Sequence, residues 1–382
     1  MYSTTSATLR PSLLLATILF AGIPAASGQQ WTPKPSGTNF PLNNVHVANA
    51  TMGYAVGGIL GVGGVITRTF DGGNTWFAQA FTPVFNDVFA LDASTALVAG
   101  TAGVIIKTTT SGSLWTFTPT NTTLTLYALH FVTPTTGFAV GDQGLVLKTL
   151  NAGGLWTPKA AGVTNVLYDV HFPTTTTGFA VGDTGTILKS TTGGESWVQK
   201  PSGTTETLYS VYFIDSLTGF AAGGTGLILK TVDGGESWFS VPSGTIDVLR
   251  SVHFPNTTNG YVAGHTGTIL NTPNAGASWI PQSSGTGLDL HGVYFQSIDM
   301  GFAVGNGGLI LAATPAPSSL GDLNCDTVLD ALDVAPFALA LNNPVAYTAT
   351  FPGCDINNAD INADGAADGL DIAPFIALLT GG

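Results

Sequence analysis

The sequence predicts an all-β seven-bladed β-propeller, followed by a small α-helical domain with the loop pattern of a calcium-binding EF-hand. Three observations carry this. Trp76, Trp115, Trp156, Trp197, Trp238 and Trp279 lie 39, 41, 41, 41 and 41 residues apart, with Trp31 a further 45 before the first. A period near 40 to 45 residues with strand-like content marks propeller blades. A Gly-rich hairpin recurs seven times on the same period, and past Leu311 a different, acidic repeat takes over.

The composition fits many short strands and tight turns: 50 of 382 residues are Gly, only 9% are charged and 44% are hydrophobic. At the start, Arg10, the apolar run from Leu13 to Ile23 and the small residues Ala26, Ser27 and Gly28 read as a secretory signal over residues 1–28. That run falls short of the roughly 18 apolar residues a membrane span needs. The mature protein is therefore expected to be secreted or cell-surface associated, of bacterial origin and without a transmembrane segment.

The propeller is expected over residues 29–313. Each unit opens with an alternating strand, as in Leu126-Tyr127-Ala128-Leu129-His130-Phe131, whose period of two buries one face. A hairpin follows, as in GFAVGDQGLVLKT from Gly137, with divergent copies from Gly53 and Thr95. Its glycines are expected to supply positive φ. The third element is a turn before the outermost strand, best preserved from Phe70 to Trp76 and from Val232 to Trp238; Ser111, Asn151, Thr192 and Asn274 stand where weaker copies would have Asp. The seventh hairpin lacks this element, and Trp31-Thr32-Pro33-Lys34-Pro35-Ser36-Gly37-Thr38 matches the outer segment Trp197 to Thr204. The N-terminal strand is thus expected to complete the last blade and close the ring.

These residues resemble known families. The turn resembles the Asp-box of sialidase-type propellers, which implies that Asp71 and Asp233 cap backbone N–H groups. The combination of G-F-A-V-G-D-x-G-x-I-L-K-T with D-G-G-x-x-W resembles the photosystem II stability and assembly factor family over about Trp31 to Leu311. That resemblance implies a seven-bladed, non-catalytic propeller that binds partner proteins. The family's members in phototrophs carry a basic patch, whereas this repeat region has nine Lys and Arg.

Net charge is −13, of which −9 falls between Leu320 and Gly382, a stretch without Lys, Arg or Glu. Neither part offers the clustered cations that bind nucleic acid. After a linker at 314–320, residues 321–382 hold two twelve-residue loops, 38 residues apart. Oxygen ligands for two calcium ions are expected from Asp322, Asn324, Asp326, Asp330 and Asp333 with the carbonyl of Val328, and from Asp360, Asn362, Asp364, Asp368 and Asp371 with that of Ala366. Both loops lead into the same pattern, Val334-Ala335-Pro336-Phe337 and Ile372-Ala373-Pro374-Phe375. The duplication, with Asp at position 12, resembles the type I dockerin family. The resemblance implies a cohesin-like protein partner met by Ala331, Leu332, Gly369 and Leu370. Thr327 replaces the usual Gly at position 6, which is expected to weaken the first loop. Cys325 and Cys354, both in this exported tail, are expected to pair.

A sialidase-type site needs several arginines to clamp a carboxylate, and after the signal only Arg68 and Arg250 remain. Paired carboxylates of glycosidase type would have to come from Asp142 and Asp183, which share a turn position with His265 and Asn306 on the rim also bearing Pro201 to Thr207. The plainer reading of these Asp residues is turn capping. His130, His171 and His253 occupy one repeat position and read as structural. The sequence therefore favours a non-enzymatic propeller binding a protein or glycan, with a secreted carbohydrate-active hydrolase of Asp-box type as the alternative.

Overall fold

The computed structural model describes residues 29–298, 300–314, 321–325, 329, 331–351, 354, 356–361 and 366–380. The expected signal at 1–28, most of the linker, and the expected ligands Asp326, Val328, Asp330, Asn362 and Asp364 lie outside the described residues.

Seven four-stranded antiparallel sheets form the propeller. In the third blade the strands are Leu126–Phe131, Gly137–Gly141, Val146–Thr149 and Thr157–Lys159, running from the axis outward. The last blade is sewn from both ends of the domain, because Gln30–Lys34 pairs with Ile310–Thr314 and sets Trp31 opposite Ala313. Closure leaves only short strand edges at the rim.

Blades adhere through apolar layers between neighbouring sheets. Phe172 stacks on Phe138 of the preceding blade with ring centroids 3.8 Å apart, and Trp197 packs edge-on against Phe172 at 5.7 Å. The same arrangement recurs at Phe179, Phe213 and Trp238. Burying such a ring contributes about 1.5–3 kcal/mol, so the regular tryptophans are the visible trace of the inter-blade core. Polar clasps add to it at the periphery. Glu195 bridges Lys148 and Lys159 at 2.7 and 2.6 Å, and Glu236 bridges Lys189 and Lys200 at the same distances.

The turn after the third strand behaves as the Asp-box resemblance implies. Asp233 Oδ1 accepts from the N–H groups of Glu236 and Ser237 at 3.0 Å, and Asn274 Oδ1 accepts from Ala277 and Ser278. One position is corrected. In the second blade the capping oxygen belongs to Thr110, whose Oγ1 accepts from Leu114 N–H at 2.9 Å, and not to Ser111. A Thr hydroxyl substitutes for the carboxylate, and Ser111 takes the next place with φ of 53°.

The glycines of the hairpin also divide differently from the expectation. Gly144 has φ of 69°, but Gly141 is extended at −169°. Gly141 is required by close approach, since a Cβ there would lie 2.0 Å from the Thr125 carbonyl oxygen. Between Gly141 and Leu145 the chain makes a tight turn, closed by Leu145 N–H donating to the Asp142 carbonyl, in which Gln143, with φ of 57°, shares the positive φ of Gly144.

In the C-terminal segment, helices α1 (Val334–Asn342), α2 (Pro344–Thr350) and α3 (Ile372–Thr380) enclose a small core of Leu323, Phe337, Ala340, Tyr347, Ala359 and Phe375. Phe337 and Phe375, equivalent in the two sequence copies, stack at 3.9 Å. Cys325 and Cys354 form a disulfide.

Candidate binding site at the channel mouth

The innermost strands surround a cavity of about 530 Å³ on the propeller axis. A bulge after the first residue of every inner strand, as between Leu126 and Ala128, breaks the alternation. Two successive side chains per blade therefore line the cavity, followed by a third two residues on. The lining falls into three tiers.

The deepest tier is a closed ring of seven aromatic side chains: His46, Phe89, His130, His171, Tyr212, His253 and Tyr294. Consecutive ring centroids lie 4.3 to 5.7 Å apart around the whole circle. His46, His171 and His253 each accept, at Nδ1, the backbone N–H of Ala90, Phe213 and Phe295 in the next blade. Tyr212 reaches the same place differently, donating its hydroxyl to the Phe254 carbonyl at 3.1 Å. Burial holds the imidazoles of His46 and His253 down at about 3 and that of His130 at about 4. These histidines are neutral blade connectors, as the sequence reading of three of them expects; His46 belongs to the same tier.

The middle tier is polar and equally committed to blade connection. Asp87 accepts from Val88 N–H of its own bulge, from the Asn44 amide of the first blade and from Leu129 N–H of the third. Asp169 repeats this with Val170, Ser210 and Val211. Burial pushes the Asp87 carboxyl up to about 7 and the Asp169 carboxyl up to about 6, against the lowering effect of those bonds. Sequence reasoning missed both. Their neighbours at the same repeat position are Asn44, Ala128, Ser210, Ser251 and Gly292, so no single residue type marks the position.

The outermost tier is the mouth, formed by Asn43, Asn86, Tyr127, Tyr168, Tyr209, Arg250 and His291. Asn43 and Asn86 are folded onto the Phe85 and Leu126 carbonyls, each at 2.8 Å. Tyr127, Tyr168 and Tyr209 form an aromatic arc with centroids 5.1 and 5.2 Å apart. The Arg250 guanidinium continues the arc, 4.2 Å over the Tyr209 ring.

The turn residues singled out in the sequence stand behind this tier, each fifteen residues after its mouth residue. Burial first, and then the nearby carboxylates of Asp142 and Asp183, hold the Tyr127 and Tyr168 phenols above their ordinary range. Arg250 Nε donates to His265 Nε2 at 3.1 Å, and His291 Nε2 meets Asn306 Oδ1 at 3.0 Å. Asp142 accepts from Thr125 N–H and Asp183 from the Thr207 hydroxyl, both at 3.2 Å. The structure thus brings Asp142, Asp183, His265 and Asn306 to one rim, where His265 and Asn306 bond to mouth side chains and the two carboxylates hold the adjoining loops.

Connections between second and third strands, and between successive blades, share this rim. The first blade departs from the others here: its hairpin between Gly53–Ile59 and Gly63–Thr69 is longer and carries Leu60, 80% exposed, with Ile59 and Val62 also exposed. Ile246 and Leu288 are exposed on two inter-blade loops of the same rim.

In the C-terminal segment, Asp322, Asp333 and Asp371 are fully buried. Asp333 Oδ1 accepts from Leu323 and Asn324 N–H, and Asp371 Oδ2 from Asp368 N–H. Asn324 and Asp360 are half-buried, and Ala366 is exposed. Ala331, Leu332, Gly369 and Leu370 are all exposed, the two leucines by 66 and 67%.

Comparison with known proteins places the repeat. Residues 150–246, about a quarter of the chain, match the profile of the photosynthesis system II assembly factor YCF48 family. No curated protein matches the chain. Among solved structures, YCF48 bound to a D1 peptide is 18% identical with a TM-score of 0.64, over 77% of this chain and 99% of that one. YCF48 from Cyanidioschyzon merolae is 19% identical with a TM-score of 0.62, over 75 and 99%. The GH74 enzyme of Niastella koreensis is 18% identical with a TM-score of 0.58, and its likeness covers 74% of this chain and 53% of that one. A binding protein and a glycosidase match about equally well, so these likenesses establish the seven-bladed fold, and function rests on the mouth.

Proposed function

We propose that this protein is a non-enzymatic binding propeller that takes a polypeptide segment at the channel mouth. The observation that carries the reading is the mouth itself. It is concave, lined by Tyr127, Tyr168, Tyr209 and Arg250, and flanked by the exposed apolar residues Ile59, Leu60, Val62, Ile246 and Leu288. Tyrosine and arginine anchors within a partly apolar rim are the composition of protein-recognition surfaces. The likeness to YCF48, solved with a D1 peptide, supports the same style of use. Asp142 and Asp183, the candidates for hydrolase chemistry, accept from the Thr125 N–H and the Thr207 hydroxyl and so hold the adjoining loops. The test is capture of polypeptides by the full chain beside Tyr168→Ala and Leu60→Asp variants. Loss in both supports the mouth; turnover of a polysaccharide that Asp142→Asn or Asp183→Asn abolishes would overturn the binding-only reading.

We further propose that the chain is exported and that residues 321–382 form a calcium-ordered, dockerin-like domain with a cohesin-like protein partner. The Cys325–Cys354 disulfide suits an oxidising compartment. Three buried carboxylates in a stretch without Lys or Arg need cationic compensation, and an oxygen-rich loop suits calcium. Asp322, Asn324, Asp333, Asp360, Asp368 and Asp371 would hold the ions together with the undescribed ligands. Exposed Ala331-Leu332 and Gly369-Leu370 would meet the partner.

A further inference from the structure

Arg250 stands apart from every other cation of the propeller. Lys148, Lys159, Lys189 and Lys200 are ion-paired with glutamates. Lys107 and Lys230 donate to the carbonyls of Ala152 and Ala275, Arg68 to that of Ser111, and Lys34 to the Asn74 side chain. Each has an oxygen acceptor. Among the described residues, Arg250 has none: its one hydrogen bond runs from Nε to a histidine nitrogen, and its flat face rests on Tyr209. The carboxylates nearest in the chain are engaged elsewhere. Asp247 accepts from Thr245 and Thr268, and Asp289 from Thr266 N–H and the Asn306 amide.

We infer that the channel mouth is a carboxylate-binding site anchored by Arg250. This rests on the reading that the mouth takes a polypeptide, and it names the group of that polypeptide which is recognised. Guanidinium binds carboxylate through paired N–H donors. Here stacking on Tyr209 and the bond to His265 fix the plane before a ligand arrives, so little side-chain entropy is lost on binding. The tyrosine arc beside it offers apolar and aromatic surface to the residue bearing the acid. The carboxylate is either the free C-terminus of the segment or an acidic side chain within it, and both present the same planar pair of oxygens.

The experiment is titration of the full chain with labelled hexapeptides of one composition. One ends in a free carboxylate, one is amidated and uncharged, one is amidated with an internal Glu, and N-acetyl-tyrosine serves as a small free acid. At least one carboxylate form is expected to bind about tenfold or more tightly than the uncharged amide. Arg250→Gln is expected to erase that difference, Arg250→Lys to keep part of it, and Arg68→Gln, outside the channel, to keep all of it. Near-UV circular dichroism confirms that each variant is folded. The arm that binds best identifies the source of the acid. Equal affinity for charged and amidated peptides, or no binding of any carboxylate form up to millimolar concentrations, overturns the inference. A cellular partner held equally by Arg250→Gln but lost by Tyr168→Ala and Leu60→Asp overturns it while leaving the mouth as the binding surface. A partner indifferent to all three variants removes the mouth reading and this inference with it.

Discussion

The Asp87 carboxylate in the second blade accepts the backbone N–H of Leu129 in the third at 2.6 Å. Leu129 lies on the innermost strand, whose free edge leaves that N–H without a partner in its own sheet, and the neighbouring blade supplies one. Asp87→Ala strands the donor and the Asn44 amide in a buried layer, while relieving the burial of the carboxyl. The expected net loss is about 1–3 kcal/mol of stability, measured by denaturant unfolding. An unchanged midpoint would remove the clasp from the account.

Ring closure predicts a second effect. Trp31 pairs across from Ala313, packs edge-on against Phe295 at 5.8 Å and donates from Nε1 to Gln282 at 3.0 Å. Trp31→Ala is expected to cost about 3–5 kcal/mol, and calorimetry should show the whole propeller melting earlier rather than one blade detaching.

Acid should weaken the propeller. The four channel histidines titrate near 6.5 when unfolded, and burial lowers them to about 3 for His46 and His253, about 4 for His130, and well below 6.5 for His171. Below pH 6.5 the unfolded chain binds protons that the folded chain refuses, so stability falls as pH falls from 6.5 toward 4. Asp87 and Asp169, raised to about 7 and 6, act in the opposite direction because the folded state holds the proton more tightly. Four groups outweigh two over that window. Thermal midpoints between pH 4 and 7 check the sign, and His130→Phe, copying Phe89 in the adjacent blade, should flatten the slope.

Close packing at the turn gives a sharper test. A Cβ on Gly182 would lie 1.9 Å from the Val166 carbonyl oxygen. Gly182→Ala should therefore lower the unfolding midpoint markedly although the local φ suits any residue, and a neutral result would contradict the close approach.

For the C-terminal domain, calcium is expected to raise the protease resistance of residues 321–382 in the full chain, and chelation to reverse it. Asp333→Ala and Asp371→Ala should each reduce the effect. Resistance that ignores calcium would refute the proposed ligand sets.

Much of this architecture was legible from the letters. Tryptophans repeat because each fills the same gap between sheets, and Trp31 could be matched to the orphan hairpin at Gly301 because its outer-strand sequence survives. The channel was less legible, because its tiers conserve size and hydrogen-bonding capacity rather than residue type. His, Phe and Tyr serve interchangeably in the deep ring, Asp87 and Asp169 stand among Asn, Ser, Ala and Gly, and Thr110 replaces an Asp by its hydroxyl alone. Arg250 was visible only as one of two arginines. Its importance follows from the acceptors that the other cations have and it lacks.

The most direct measurement of the central claim is hydrogen exchange of the full chain with and without a captured polypeptide. Protection is expected in the mouth-rim segments, around residues 57–64, 122–127, 163–168, 204–209 and 245–250. The Asp-box turns on the opposite rim, such as 71–75 and 233–237, should exchange as before. Protection confined to those turns or to the outer strands would contradict a binding mouth.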